Sequence, residues 1–225
     1  MRGVSFLSFF FPKFCVNCGN SDFFSEITAV CKPCTKQNYL PQKQIEYRRQ
    51  VKPPLDRFLF YDQVYYLQIR NKFERTLFQS LKFENERLLA EYFCLGHRSL
   101  FREFQRDNPD LLVLVPSSTK SGPRPYHASI ALLNKWKKLW KIREDTSLRK
   151  VSSDKQSSLG FENRFFHAKK AFQFTKSDRI MEGLHVLIVD DIFTTGATVN
   201  EIARLYKQAG VRKVSCVVLL LSGGD

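Results

Sequence analysis

Residues 185–201 read HVLIVDDIFTTGATVNE. Val186 to Val189 form a short apolar run, the pattern of a strand buried on both faces, and it leads straight into Asp190 and Asp191. Phe193-Thr194-Thr195-Gly196-Ala197-Thr198 then turns the chain into residues 198–210, whose apolar spacing predicts a helix stopped by Gly210. The first N–H groups of such a helix have no partner inside it and present partial positive charge. A phosphate placed there collects several backbone N–H bonds. Gly196 lets the backbone come close, and Thr194, Thr195 and Thr198 add hydroxyl donors. Carboxylates repel a phosphate, so Asp190 and Asp191 suit neutral hydroxyls beside it. A ligand with a phosphate next to a diol, a ribose 5-phosphate, satisfies both halves. The pattern is neither GxxxxGK[ST] nor GxGxxG. The plainer alternative is a strand end with an N-capping threonine.

On either side the same alternation continues. Apolar runs at 111–116 and 213–221 read as buried strands, and 74–96 and 127–143 as helices. Residues 58–69 read as a hairpin around Asp62-Gln63, and 157–174 as a short helix leading to a strand. Apolar strands alternating with amphipathic helices predict an α/β fold with a mostly parallel sheet covered on both faces. Ligands of such sheets bind at the carboxyl ends of strands, where the opening motif lies.

Four of the six cysteines fall as Cys15-x2-Cys18-x12-Cys31-x2-Cys34. Each CxxC turn places two sulfurs on one knuckle, and two knuckles close a tetrahedron around Zn²⁺. Four thiolates leave no open position, so the metal is read as structural. Disulfides and separate redox CxxC motifs are the alternatives. Cys94 and Cys216 stand alone in apolar surroundings and read as buried small residues. The chain divides into a four-cysteine zinc module over 1–41, a polar, basic linker over 42–54 ending in Pro53-Pro54, and an α/β domain over 55–225.

The 225 residues carry 36 Lys+Arg against 22 Asp+Glu, a net charge of +14, and the mean hydropathy is −0.31. The excess is regional: residues 1–54 hold 8 basic and 3 acidic side chains, 55–110 hold 9 and 9, 111–182 hold 15 and 6, and 183–225 hold 4 and 4. A regional excess builds a patch that attracts polyanions, nucleic acid or polyphosphate; a solubility effect is the alternative. Lys13, Lys32 and Lys36 flank the thiols, and Lys137, Lys138 and Lys141 lie in or next to KWKKLWK; these are the candidate DNA contacts. Trp136 and Trp140 share one helical face, but Leu132, Leu133 and Leu139 continue that stripe, so both read as core. No stretch reaches the ~20 apolar residues of a membrane span. The aromatic run FLSFFF stops at Pro12 and lacks the features of a signal peptide. The reading is cytoplasmic, with peripheral contact at the inner face of the membrane as a variant.

VLIVDDIFTTGAT resembles the phosphoribosyl-pyrophosphate (PRPP) signature of type I phosphoribosyltransferases. With the four-cysteine front end, the chain resembles the ComF family of natural competence; LKF at 81–83, LVP at 114–116 and the run from Leu148 through Arg164 to Phe172 match more weakly. The resemblance implies a Rossmann-like phosphoribosyltransferase core with a small zinc ribbon. It implies that Asp190 and Asp191 hold the ribose hydroxyls and that residues 194–198 hold the 5′-phosphate, with Phe193 also among the PRPP-binding residues. It places a pyrophosphate loop at Pro116-Ser117-Ser118-Thr119, with Lys82 and Arg124 as further candidate contacts and Mg²⁺ arriving on the pyrophosphate. One departure stands out. The family's flexible loop carries an Arg-Gly-Phe-Asn type stretch, and here Arg124-Pro125-Tyr126-His127 puts proline where glycine is usual. The implied role is binding of incoming single-stranded DNA, with PRPP as ligand or regulator and a helicase or inner-membrane channel as partner. The alternative is an active Mg²⁺-dependent phosphoribosyltransferase of nucleotide salvage or synthesis, whose acceptor the sequence does not name.

Overall fold

The computed structural model describes residues 12–38, 59–83, 87–95, 97–98, 108–116, 128–151, 171–175 and 181–222. The aromatic run before Pro12, the linker 42–54, the segment from Ser117 through Arg124 to His127 and the helix expected after 157 lie outside them.

Among the described residues the main sheet has five strands in the order β1-β7-β6-β2-β3: β1 is Gln63–Arg70, β2 Leu111–Leu114, β3 Arg143–Glu144, β6 His185–Phe193 and β7 Lys213–Ser222. Every pairing within it is parallel. A separate antiparallel pair joins β4 (Leu148–Lys150) to β5 (Phe172–Phe174). The apolar runs read as strands fall on β2, β6 and β7.

Successive β6 side chains point to opposite faces, as the pleat requires. Leu187 and Val189 join a core with Leu132 and Trp136 of α5 (Ala128–Trp140) and with Tyr92 and Phe93 of α4 (Leu89–Phe93). Val186 and Ile188 join a second core with Ile202 and Tyr206 of α6 (Ala197–Gln208). A sheet covered on both faces needs apolar strands throughout, which is why β6 and β7 show little alternation. The Tyr206 hydroxyl donates to Asp145 Oδ2 at 2.8 Å and satisfies a buried carboxylate under α6.

Trp136 is fully buried, in agreement with its reading as core, whereas Leu139 is 44% exposed. The buried stripe therefore does not take in Leu139, near the helix end. There Lys141 takes φ 55° and the chain turns into β3. Trp136→Ala is expected to cost about 3–5 kcal/mol, the usual range for emptying a buried aromatic site. Urea unfolding measures it.

Two sequence expectations need correction. The hairpin expected over 58–69 is not formed by the described residues 59–69. The Asp62 N–H donates to the Val214 carbonyl at 2.7 Å and its Oδ2 accepts the Val214 N–H at 2.7 Å. That clamp starts β1 as one edge strand beside β7 instead of turning the chain. The helix expected over 74–96 is two helices, α3 (Lys72–Phe83) and α4. α3 starts earlier because Asn71 Oδ1 accepts the Phe73 and Glu74 N–H groups at 2.7 and 3.2 Å. Glu74 Oε2 accepts the Asn71 N–H in return at 3.4 Å, completing a capping box. Burial raises the Glu74 carboxyl above its ordinary pKa.

Candidate functional site

Two constructions stand out, a sulfur cluster at the front and a cleft at the end of β6.

The four sulfurs of Cys15, Cys18, Cys31 and Cys34 all lie within 4.8 Å of one another. Zn–S bonds of 2.3 Å in a tetrahedron put sulfurs about 3.8 Å apart, and Cys18 Sγ to Cys31 Sγ measures 3.6 Å. Donor type, number and spacing thus fit a structural zinc. The first knuckle is closed by the Gly19 N–H donating to the Cys15 carbonyl at 2.9 Å, with Gly19 at φ 74°. The second follows α1 (Ser25–Thr28): Cys31 immediately precedes α2 (Lys32–Asn38), and Cys34 lies in its first turn. Asp22 ties these helices together: Oδ1 accepts the Ser25 N–H and Oδ2 the Lys32 N–H, both at 2.7 Å. Burial would raise the Asp22 pKa, but these backbone donors hold it below the ordinary value. Asn17 Nδ2 donates to Cys34 Sγ at 3.3 Å, a support for the ligand from outside the cluster. Turns and irregular segments carry Cys15, Cys18 and Cys31, and α2 carries Cys34, with no strand among the described residues 12–38. Cys15, Val30, Cys31 and Cys34 pack into the same core as Tyr92 and Phe93, so the module is seated on α4. Cys94 and Cys216 are buried elsewhere, as expected, and burial pushes the Cys94 thiol up to about 12.

The cleft has a volume of about 310 Å³ and is lined by Arg70, Asp190, Ile192 and the residues from Phe193 to Val199. β6 extends through both aspartates to Phe193, and α6 begins four residues later. Gly196 is the N-cap residue at φ 75°, and no side-chain cap bond closes the helix start. Thr195 Oγ1 accepts the Ala197 N–H only at 3.4 Å. Gly196 lies on the buried ring of Phe193: a Cβ built there would be 2.6 Å from the ring Cζ. Tyr61 meets the same ring edge-on, centroids 6.0 Å apart. The stack of Tyr61, Phe193 and Gly196 sets the height of the loop floor.

Asp190 lines the cleft; Asp191, next to it, is not part of the lining. Asp190 Oδ1 accepts the Asp191 N–H and Asp191 Oδ1 the Ile192 N–H, each at 2.8 Å. In these bonds both carboxylates accept from the local backbone. The structure brings together Asp190 and residues 193–198 as the motif anticipates, and adds Arg70. Arg70 escaped the sequence reading because a hairpin over 58–69 hides where the strand ends. Read as one strand parallel to β7, the segment would have pointed to it.

Of the remaining candidates, Ser117, Ser118 and Arg124 lie outside the described residues, as does the side chain of Lys82 on α3. Lys13, Lys32 and Lys36 are exposed around the sulfur cluster, beside the exposed rings of Phe14 and Phe23. Lys137 Nζ pairs with Glu144 at 2.6 Å, which takes up much of its charge locally. Lys138 and Lys141 are exposed. The side chain of Trp140 lies outside the described residues. Among the described residues, no helix is long and apolar enough to cross a membrane.

Residues 129–225 match the phosphoribosyl transferase domain family, a span that takes in α5, β6, the cleft loop, α6 and β7. The chain is 29% identical over 146 residues to Competence protein F of Haemophilus influenzae, covering 61% of this chain and 63% of that protein. It is 32% identical over 133 residues to the DNA utilization protein YhgH of Salmonella typhimurium, covering 57% and 55%. The chain thus spans about three-fifths of the length of these relatives. Among solved structures it is similar to a hypoxanthine phosphoribosyltransferase from Staphylococcus aureus, at 17% identity and a TM-score of 0.40 over 60% of this chain and 68% of that one. The sequence similarities support a ComF-like family, and the span matching the phosphoribosyl transferase domain holds the cleft residues from Asp190 to Val199.

Proposed function

We propose that this protein handles incoming single-stranded DNA in the cytoplasm during natural transformation and binds PRPP in its phosphoribosyltransferase domain. The observation that carries the PRPP reading is the cleft. A helix start without a side-chain cap, a glycine held flat on an aromatic ring, and Asp190 line one cavity. The α6 N–H groups and the hydroxyls of Thr194, Thr195 and Thr198 would take the 5′-phosphate. Asp190 would accept the ribose hydroxyls, with Asp191 bracing the turn behind it. Mg²⁺, brought by the ligand's diphosphate, would neutralise charge there. The names of the relatives, a competence protein and a DNA utilization protein, support the DNA role. So do the lysines and exposed phenylalanines at the sulfur cluster, since single strands favour cationic surfaces with stacking rings.

Titrating PRPP with Mg²⁺ into the zinc-loaded protein by calorimetry tests the site. Saturable heat is expected, with affinity lowered about 10-fold or more, a loss of at least 1.4 kcal/mol, in Asp190→Ala/Asp191→Ala. Fluorescence anisotropy with a labelled single strand tests the DNA role. Phosphate contacts require affinity to fall steeply between about 50 and 200 mM salt; affinity indifferent to salt would count against it.

The match to the phosphoribosyl transferase domain family favours a second reading, an active enzyme that displaces pyrophosphate from PRPP. It requires pyrophosphate release that depends on one acceptor and is lost in the same aspartate variant. PRPP binding without release in a broad acceptor screen leaves the ligand role alone standing.

A further inference from the structure

Arg70 is the last residue of β1, the edge strand beside β7. Its register partner is Ser222, one row beyond the pairing of Leu221 with both Ile69 and Phe193. That row is level with Thr194, the first residue of the loop, and Arg70 accordingly lines the cleft with the loop.

Charge gives this position its meaning. Among the described residues lining the cleft, Arg70 is the one cation and Asp190 the one carboxylate. A phosphate monoester carries about 1.5 to 2 negative charges near neutrality. The hydroxyls and backbone N–H groups of the loop are neutral donors, and the α6 dipole supplies about half a charge. Asp190 opposes an anion. A guanidinium matches phosphate geometry with two parallel N–H bonds.

The direction of approach tells which phosphate. β2 and the chain leaving it at Pro116 lie on one side of β6, whereas β7 and β1 lie on the other. Arg70 therefore reaches the cleft from the side opposite β2, and it shares the cavity with residues 194–198. We propose that Arg70 is the counter-cation of the ligand's phosphate monoester, the 5′-phosphate, and does not serve the diphosphate. This rests on the PRPP reading above.

Ribose 5-phosphate separates the two groups, because it has the monoester and no diphosphate. The full-length protein and its Arg70→Ala, Arg70→Gln and Arg70→Lys variants are titrated with ribose 5-phosphate and with PRPP plus Mg²⁺, and their melting temperatures are recorded. The expected result is a similar loss for both ligands, tenfold or more, in Ala and Gln, with part regained in Lys. Gln keeps the length of the side chain and carries the comparison if Ala lowers stability. Unchanged affinity for ribose 5-phosphate in folded Ala or Gln variants overturns the proposal, and so does a loss confined to PRPP. If the parent protein binds neither ligand, the PRPP reading falls and this assignment with it; if only Asp190→Ala/Asp191→Ala weakens binding, the reading stands and Arg70 is excluded.

Discussion

Cys31→Ser is expected to strip the metal from the sulfur cluster and to unravel the module around it. Cys31 is almost fully buried, its sulfur is 3.6 Å from that of Cys18, and it belongs to the same core as Tyr92 and Phe93. The described module has two helices of four and seven residues, too short to persist alone. Apparent binding energies of about 10–16 kcal/mol for structural zinc in small fingers are comparable to the whole stability of a typical domain. Loss of the metal therefore means loss of the local fold. Because the module covers α4, that face is then exposed to water. Elemental analysis should give one zinc per chain for the parent and none for the variant. Limited proteolysis should cut the variant first within 12–38, and its melting temperature should be lower. Cys94→Ala and Cys216→Ala, at buried cysteines outside the cluster, should keep the zinc. A parent protein that folds with no bound metal would sink the reading of the cluster.

The parts of this fold legible in the sequence are those where one local signal meets no competitor. β6, its loop and α6 are such a case: an apolar run, a glycine and a helical stripe follow in order, and packing on both faces agrees with them. The spacing of the cysteines is another, since a tetrahedron of sulfur leaves little choice of geometry. β1 reads as a hairpin in the sequence because Asp62 is a turn former in local terms. Its carboxylate is instead taken by the Val214 N–H, 152 residues away in sequence. No local window contains that bond. Arg70 was lost by the same error, since a residue becomes a wall of the cleft only once its strand has a neighbour and a register. The helix over 74–96 was read as continuous because leucine and phenylalanine recur across it, whereas the chain divides them between α3 and α4. Near the end of α5, periodicity carries Leu139 inward, although its side chain is exposed. For Asp62 and Arg70, contacts distant in sequence outweigh the local pattern.

Gly196→Ala is expected to abolish most ligand affinity while leaving the protein folded. Two costs coincide at this position. The backbone sits at φ 75°, where an L side chain loses about 1–2 kcal/mol. The added methyl also lands 2.6 Å from the Phe193 ring, closer than carbon atoms approach. The ring cannot easily retreat, because it is fully buried with Tyr61 against it; forced overpacking of this kind costs about 1–3 kcal/mol. The loop is the softer side of the contact, so the loop should lift. Lifting it moves the N–H groups at the start of α6 away from where a phosphate would rest, and the bonds they would make are sensitive to a few tenths of an ångström. Affinity for PRPP should fall about 100-fold, the equivalent of 2.8 kcal/mol, with a lower melting temperature. Gly210→Ala separates strain from position: Gly210 has φ 89°, its Cβ would meet Glu182 Cα at 3.4 Å, and it lies at the far end of α6. It should lower stability and leave PRPP affinity unchanged. Phe193→Leu combined with Gly196→Ala removes the ring the methyl strikes and should recover stability before it recovers binding. Parent-like affinity in Gly196→Ala would mean that the ligand does not depend on close approach to this backbone, and the start of α6 would then be excluded as its phosphate site.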